Sequence, residues 1–226
     1  MQRYNIFYMI HKGLRQMMYQ TAGLVLQTDF TNPEEATDLL PRIAEVLDLF
    51  DEHAHAEDSF ILPAIEKFEP FSANLFAEEH VQDHALGNRM RALLNMYHHA
   101  ISSEEKTEMG SAIRLSFTEF LVFNLQHMAK EELLLNNLLW KHYSDQELHC
   151  ITQQIIAQLP IDAAHKYNTW MMRALSNNEI IQWLKGIKNE APEFVFSNML
   201  QLAQYELPDH RLHLVQENIT EGALLA

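Results

Sequence analysis

The sequence predicts an all-α protein: an antiparallel up-down-up-down four-helix bundle followed by a C-terminal extension of short helices. Three observations carry that expectation. Long stretches repeat apolar residues in alternating steps of three and four, the spacing of a buried helix seam, with little strand-like alternation. Glycine and proline are scarce, six and seven in 226 residues, too few for a fold built from many tight turns. Boundary signals at residues 28–33 (TDFTNP), 69–72 (EPFS) and 102–105 (SSEE) cut the first 143 residues into four long segments.

Taken in order, the first helix is expected from about Arg3 to Gln27, with Phe7, His11, Leu14, Met18 and Val25 on its inner face. Asn32 is placed to cap the second helix and Pro33 to occupy its first position. That helix extends to about Lys67, bent at Pro41, and buries Ile43, Val46, Phe50, His53, Glu57, Phe60 and Ala64. Ser72 caps the third helix, Ala73 to about Ile101, whose seam is Phe76, His80, His84, Gly87, Met90, Leu94, Tyr97 and Ile101. A serine-plus-acid start at Ser102 opens the fourth, lasting to about Tyr143. Its seam reads Ile113, Phe117, Phe120, Asn124, His127, Glu131, Leu134 and Leu138. Short turns between long helices make neighbours antiparallel. The bundle thus occupies residues 1–143. Residues 144–226 form an extension of three to four short helices, packed on the bundle or on a partner subunit.

Composition narrows the function classes. A hydrophobic content of 47% suits a well-packed domain, and the formal net charge of -15 opposes binding to nucleic acid or an anionic membrane. The single cysteine, Cys150, precludes an internal disulfide, fits a reducing compartment and is expected to be a buried small residue. Without a leader pattern or a bilayer-length apolar run, the expected location is the cytoplasm. The methionines Met17, Met18, Met171 and Met172 read as core filler.

The chemistry lies in seam positions that should be apolar and are not: His11, His53, Glu57, His80, His84, His127 and Glu131. A carboxylate buried without a partner costs several kcal/mol or more, roughly, so something must compensate each glutamate. His53 and Glu57 are one helical turn apart, as are His127 and Glu131, and each pair can face one shared object. HAHAEDSFILPAI from His53 echoes HMAKEELLLNNLL from His127, both reading His, three residues, Glu, acid, then an apolar run. In a bundle that follows chain order these two pairs meet across the core. Imidazole and carboxylate suit a pair of metal ions. Two six-coordinate metals need about twelve positions; five histidines, two bridging glutamates and a solvent bridge leave about one open, enough for a small diatomic. Asn124, Glu79 and Asp83 are the candidates to hold a ligand's other ring nitrogen. His55, His98, His99, His142, His149, His165, His210 and His213 fall off the seams or outside the bundle and read as surface or local groups. Only Glu52 and His55 have the Glu-x-x-His spacing of a ferritin-like oxidase, and they lie beside the seam, so that class is set aside.

The ordered set His11, then His53 and Glu57, then His80 and His84, then His127 and Glu131 resembles the hemerythrin family in its broad form, the HHE cation-binding domain. The resemblance covers roughly residues 1–143. It implies two iron ions with an oxo or hydroxo bridge, although manganese or zinc fits the same donors. Glu57 and Glu131 would be the bridges; His80, His84 and His127 would hold one iron, and His11 with His53 the other, which keeps the open position. The implied ligand is O₂ or NO. Oxygen-carrying members use an aspartate one residue further from the helix-4 histidine. The shorter spacing of Glu131, with the Glu79–His80 pair, looks more like members that sense, or that repair iron centres. The expected function is therefore binding or sensing of O₂, NO or iron redox state. An oxidoreductase or iron-centre repair protein comes second, and third an interaction module with a structural metal. No general acid or base is legible for an enzyme, and the C-terminal helices are the expected surface for a protein partner or a second copy.

Overall fold

A computed structural model of the chain describes residues 3–221. Among these residues there are nine helices and no strand. Helix α1 is Tyr8–Gln27. Helix α2 runs Pro33–Ala56, continues through one π-helical turn at Glu57–Ile61 and ends with Leu62–Glu66. Helix α3 is Pro70–His99. Helix α4 runs Ser103–Lys130, passes through a second π turn at Glu131–Leu135 and ends with Asn136–His142. Five shorter helices follow rather than three or four: α5 Asp145–Gln158, α6 Ile161–Ala174, α7 Asn177–Glu190, α8 Glu193–Glu206 and α9 Asp209–Glu221.

The boundaries follow local chemistry. Asn5 Oδ1 accepts from the backbone N–H of Phe7 and Tyr8, so α1 starts at Tyr8 and not at Arg3. The Asn32 side chain accepts from Glu34 N–H ahead of Pro33, as the sequence predicts. Reciprocal capping boxes open α4 (Ser102 with Glu105), α5 (Ser144 with Glu147) and α7 (Ser176 with Glu179). Ser72 is not a cap: α3 begins at Pro70, whose fixed φ suits the first helical position. Its seam ends at Tyr97, and Ile101 beyond the helix is 93% exposed.

Helix α1 packs on α2 and α4, and α3 on α2 and α4. The contacts run in opposite order along α1 and α4, α2 and α3, and α3 and α4. Arg3 donates to the carbonyl of Tyr143 while Arg114, near the other end of α4, donates to that of Thr28. Asp58 meets His80 and Asp48 meets Arg91; Glu79 meets His127 and Arg89 meets Glu119. The extension is not a separate body. Ala163, Tyr167 and Trp170 of α6 join the same core as Leu14, Ile43, Phe50 and Phe117, and α6 lies along α1. Leu148 of α5 joins the core at the other end with Phe7, Ile61 and Leu139. Helices α7, α8 and α9 close a third core around Met172, Ile180 and Leu184. Met17, Met18 and Met172 are fully buried, as core filler should be.

The two π turns change the register that regular periodicity predicts. A π turn adds one residue, so the buried position after Glu57 is Ile61, and Phe60 is only half-buried. After Glu131 the buried leucines are Leu135 and Leu139; Leu134 is 52% exposed and Leu138 half-buried. Leu135→Ala is therefore expected to cost about 2–5 kcal/mol, and Leu134→Ala within about 0.5 kcal/mol, in urea unfolding. The reverse order would restore a regular fourth helix.

Candidate metal centre

Six of the seven predicted site residues converge. His11 comes from α1, His53 and Glu57 from α2, His80 from α3, and His127 and Glu131 from α4, all buried. Two overlapping groups have ligand atoms close enough for one ion each: His11, His53, Glu57 and Glu131, and His80, His127, Glu57 and Glu131. Both glutamates belong to both groups. Glu57 turns Oε1 to His53 Nε2 at 3.3 Å and Oε2 to His80 Nε2 at 3.2 Å. Glu131 turns Oε1 to His127 Nε2 at 3.0 Å and Oε2 to His11 Nε2 at 3.4 Å.

The seventh residue, His84, stays outside. It lies at the margin, its side chain 43% exposed, with Nδ1 donating to Asp51 Oδ1 at 2.9 Å. Position 84 is one turn beyond His80, but the helix turns it away from the carboxylates, towards α2's outer edge. The cluster thus brings two histidines to each side, and the expected third on the His80/His127 side is not among them.

Carboxylates outside the cluster hold the outward ring nitrogens. Nδ1 of His11 donates to Glu132 at 2.9 Å, Nδ1 of His80 to Asp58 at 2.6 Å, and Nδ1 of His127 to Glu79 at 2.9 Å. A proton fixed on Nδ1 leaves the Nε2 lone pair directed inward, the tautomer a metal ligand needs. Arg15 in turn donates to Glu132 and Lys130 to Glu79. Of the predicted supporting residues only Glu79 does this. Asn124 donates to Asp83 at 2.7 Å, and that pair, with burial raising the Asp83 pKa, touches no ligand. Sequence reasoning misses Asp58 and Glu132. Each directly follows a buried glutamate, so the acid shared by the two echoed segments is their signal.

With neutral imidazoles the inner faces lack compensation. Both oxygens of Glu57, both of Glu131 and Nε2 of His80 are buried with no hydrogen-bond partner. Inward lone pairs facing carboxylates at these distances repel unless positive charge lies between them. In the metal-free protein, protons on the imidazoles supply that charge. Burial disfavours charge on His80, yet Asp58, Glu131 and Glu57 outweigh it and raise its pKa to about 12. Burial likewise opposes charge on His127, and Glu131 with Glu57 and Glu79 raises its pKa to about 9. His11 is raised against its burial by Glu132, Glu57 and Glu131. Burial lowers His53 despite Glu57, with His11 and His80 adding to the fall. Glu57 is held well below the carboxylate range, in spite of burial, by His53, His11 and His80. A nitrogen-and-oxygen donor set of this kind fits a pair of divalent or trivalent cations.

The remaining histidines are elsewhere. His55, His98, His99, His165, His210 and His213 are exposed. His142 stacks on Phe68 with ring centroids 4.0 Å apart, and His149 meets Glu190 at 3.2 Å. Cys150, expected to be buried, is exposed.

No family model matches the chain. Among curated proteins it is similar to the zinc finger protein BRUTUS of Arabidopsis thaliana, 25% identical over 185 residues, 81% of this chain and 14% of that protein. The chain thus spans about a seventh of that relative's length. A zinc finger uses two to four cysteine ligands, and this chain has one cysteine, so the likeness does not lie in such a module. No helix among the described residues is long and apolar enough to cross a membrane.

In metal-free protein the raised histidines set the pH response. Their charge-linked stability is fully present below the unfolded value of about 6.5 and is lost as pH rises through the folded values. His127 loses its share by about 9 and His80 towards about 12. With chelator present, the thermal midpoint is expected to fall as pH rises from about 6.5 to about 9. A midpoint that rises over that range would contradict the charge assignment.

Proposed function

We propose that residues 1–143 are an up-down-up-down four-helix bundle of the hemerythrin type, with residues 144–226 as its extension. The bundle would hold two iron ions in a His/carboxylate-bridged centre that binds or senses O₂ or NO, or reports iron redox state, in the cytoplasm. One observation carries this: Glu57 and Glu131 each present one unpartnered oxygen to the His11/His53 side and the other to the His80/His127 side. That is the disposition of two bridging ligands. The antiparallel contact order of α1 to α4 supports the bundle topology, and the ordered His/Glu set supports the family.

When bound, the iron pair supplies reversible redox chemistry and coordination positions for a diatomic ligand; manganese or zinc would fit the same donors. The chain's own residues do the rest. Glu132, Asp58 and Glu79 hold the ring tautomers, and Phe7 stacks on His11 while Phe123 stacks on His127, keeping water from the donors. With His84 outside, His11 and His53 would hold one ion and His80 and His127 the other, each together with Glu57 and Glu131. Burial of all six side chains favours a diatomic over a larger substrate. A second reading, an oxidoreductase or iron-centre repair protein, draws on Asp83, a buried carboxyl three residues from His80 whose pKa burial raises. Turnover of peroxide or NO that disappears in Asp83→Asn would favour it over simple binding.

The test is metal analysis and an optical spectrum of anaerobically purified protein, before and after air. About two irons per chain and an oxo-bridge band in air are expected. Glu57→Ala and Glu131→Ala should lose metal and band, whereas His84→Ala and the exposed His98→Ala should keep both. Equal metal content in all four variants would remove the ligand assignment.

A further inference from the structure

Helix α1 contributes a single donor, His11, yet its other faces are fastened to the extension by contacts the metal centre itself does not use. Tyr8 OH donates to Glu179 Oε1 at 2.6 Å and Lys12 Nζ to Glu179 Oε2 at 2.7 Å. The Lys12 ammonium also lies 5.2 Å from the centre of the Tyr8 ring, so the three side chains close on one another. Glu179 is itself fixed: its carboxylate accepts from Ser176 N–H in the capping box that starts α7. Lys12, Tyr8 and the cap hold it ionised against its partial burial, with a pKa of about 2.

Next to Lys12, Gly13 lets α6 approach as closely as a backbone can. A Cβ at Gly13 would meet Met171 N at 3.0 Å and Trp170 C at 3.3 Å, both backbone atoms that cannot swing aside. Met9 packs into the third core, beside the extension's own apolar residues. Residues 8, 9, 12 and 13 thus belong to the extension, while Phe7, His11, Leu14 and Met18 face the bundle. One residue of slip along α1 would turn His11 about 100° away from His53 and Glu131.

We infer that the C-terminal extension, acting through Glu179 and the Gly13–Met171 approach, is the positioning element for His11 and therefore governs one metal position selectively. This rests on the metal reading above. The selectivity follows from where the clamp sits: the His80/His127 group contains no residue of α1, and Tyr8, Lys12 and Glu179 bond to one another rather than to any of its members. A merely structural role would loosen both positions together.

The experiment compares wild type, Gly13→Val, Glu179→Ala and Glu179→Gln, with the exposed Glu193→Gln as control. The glutamine variant can keep the α7 cap while losing the paired acceptors, so it remains folded if the alanine form does not. Stepwise titration with ferrous iron under anaerobic conditions should show two equivalents bound by wild type and the control. In the three clamp variants one equivalent should keep its affinity and the other weaken roughly 10-fold or more. Hydrogen exchange of the metal-free protein should speed up at residues 8–14 in the variants and stay unchanged in α3 and α4. Both equivalents retained at full affinity, or both weakened equally, overturns the inference. If wild type binds no iron but the exchange difference appears, the clamp stands and the metal reading falls.

Discussion

Two buried glutamates that face only imidazole nitrogens, Glu57 and Glu131, set the terms for everything around them. Like charges in a dry interior are tolerated only with opposite charge against both. The molecule answers in layers. Imidazoles surround the carboxylates, acids hold the far side of three of those imidazoles, and Arg15 and Lys130 complete the sequence at the surface. Each layer reverses the sign of the one inside it. The centre is where positive charge is still lacking, which is why protons crowd onto His80 and His127 in the protein by itself. Cations there would displace those protons, so metal uptake strengthens as pH rises while the metal-free fold weakens.

The layering repeats within the chain. His11 of α1 with His53, Glu57 and Asp58 of α2 corresponds to His80 of α3 with His127, Glu131 and Glu132 of α4. The acids cross between the halves: Asp58 of α2 serves His80, and Glu132 of α4 serves His11. Both glutamates begin a π turn. In a regular α-helix the position eight residues after a histidine lies about 80° round from it. The wider turn brings His53, Glu57 and Ile61 onto one line, and His127, Glu131 and Leu135 likewise. It also swings the following acid sideways, onto the neighbouring helix's imidazole. The bulge therefore places ligand and support in one stroke.

Much of this arrangement is legible in the residues alone. Helix count in the first 143 residues, the caps at Asn32 and Ser102, and six converging side chains all follow from periodicity and residue chemistry. Three seam positions fail for one cause, the assumption of a uniform 3.6-residue helix. Phe60, Leu134 and Leu138 sit on the extrapolated seam, and only the inserted residue moves burial to Ile61, Leu135 and Leu139. His84 fails for a different reason. Spacing from His80 marks it as a seam residue, but the internal repeat equates it with Arg15, four residues after His11. Neither points inward: Arg15 bonds Glu132 and His84 bonds Asp51. Comparing the halves, rather than reading one helix, separates ligand from neighbour. Asp83 and Asn124 look polar and near, yet satisfy each other. The extension is opaque because its helices carry apolar faces whose destination, α1 or a partner, composition does not specify.

The repeat is imperfect in its supporting acids. Glu79 precedes His80 and holds His127, but Ile10 stands at the matching place before His11, and His53 has no supporting acid among the described contacts. Burial lowers the His53 pKa where its counterpart His127 is raised. Helix α1 is also shorter than α3, 20 residues against 30. The first half of the centre thus has one supporting acid where the second has two. It is the half that α6 and α7 cover, through Trp170 against the core and Glu179 against Lys12. On the inference drawn above, support arrives from outside α1 to α4 where their repeat falls short, which would make the extension part of the site's architecture.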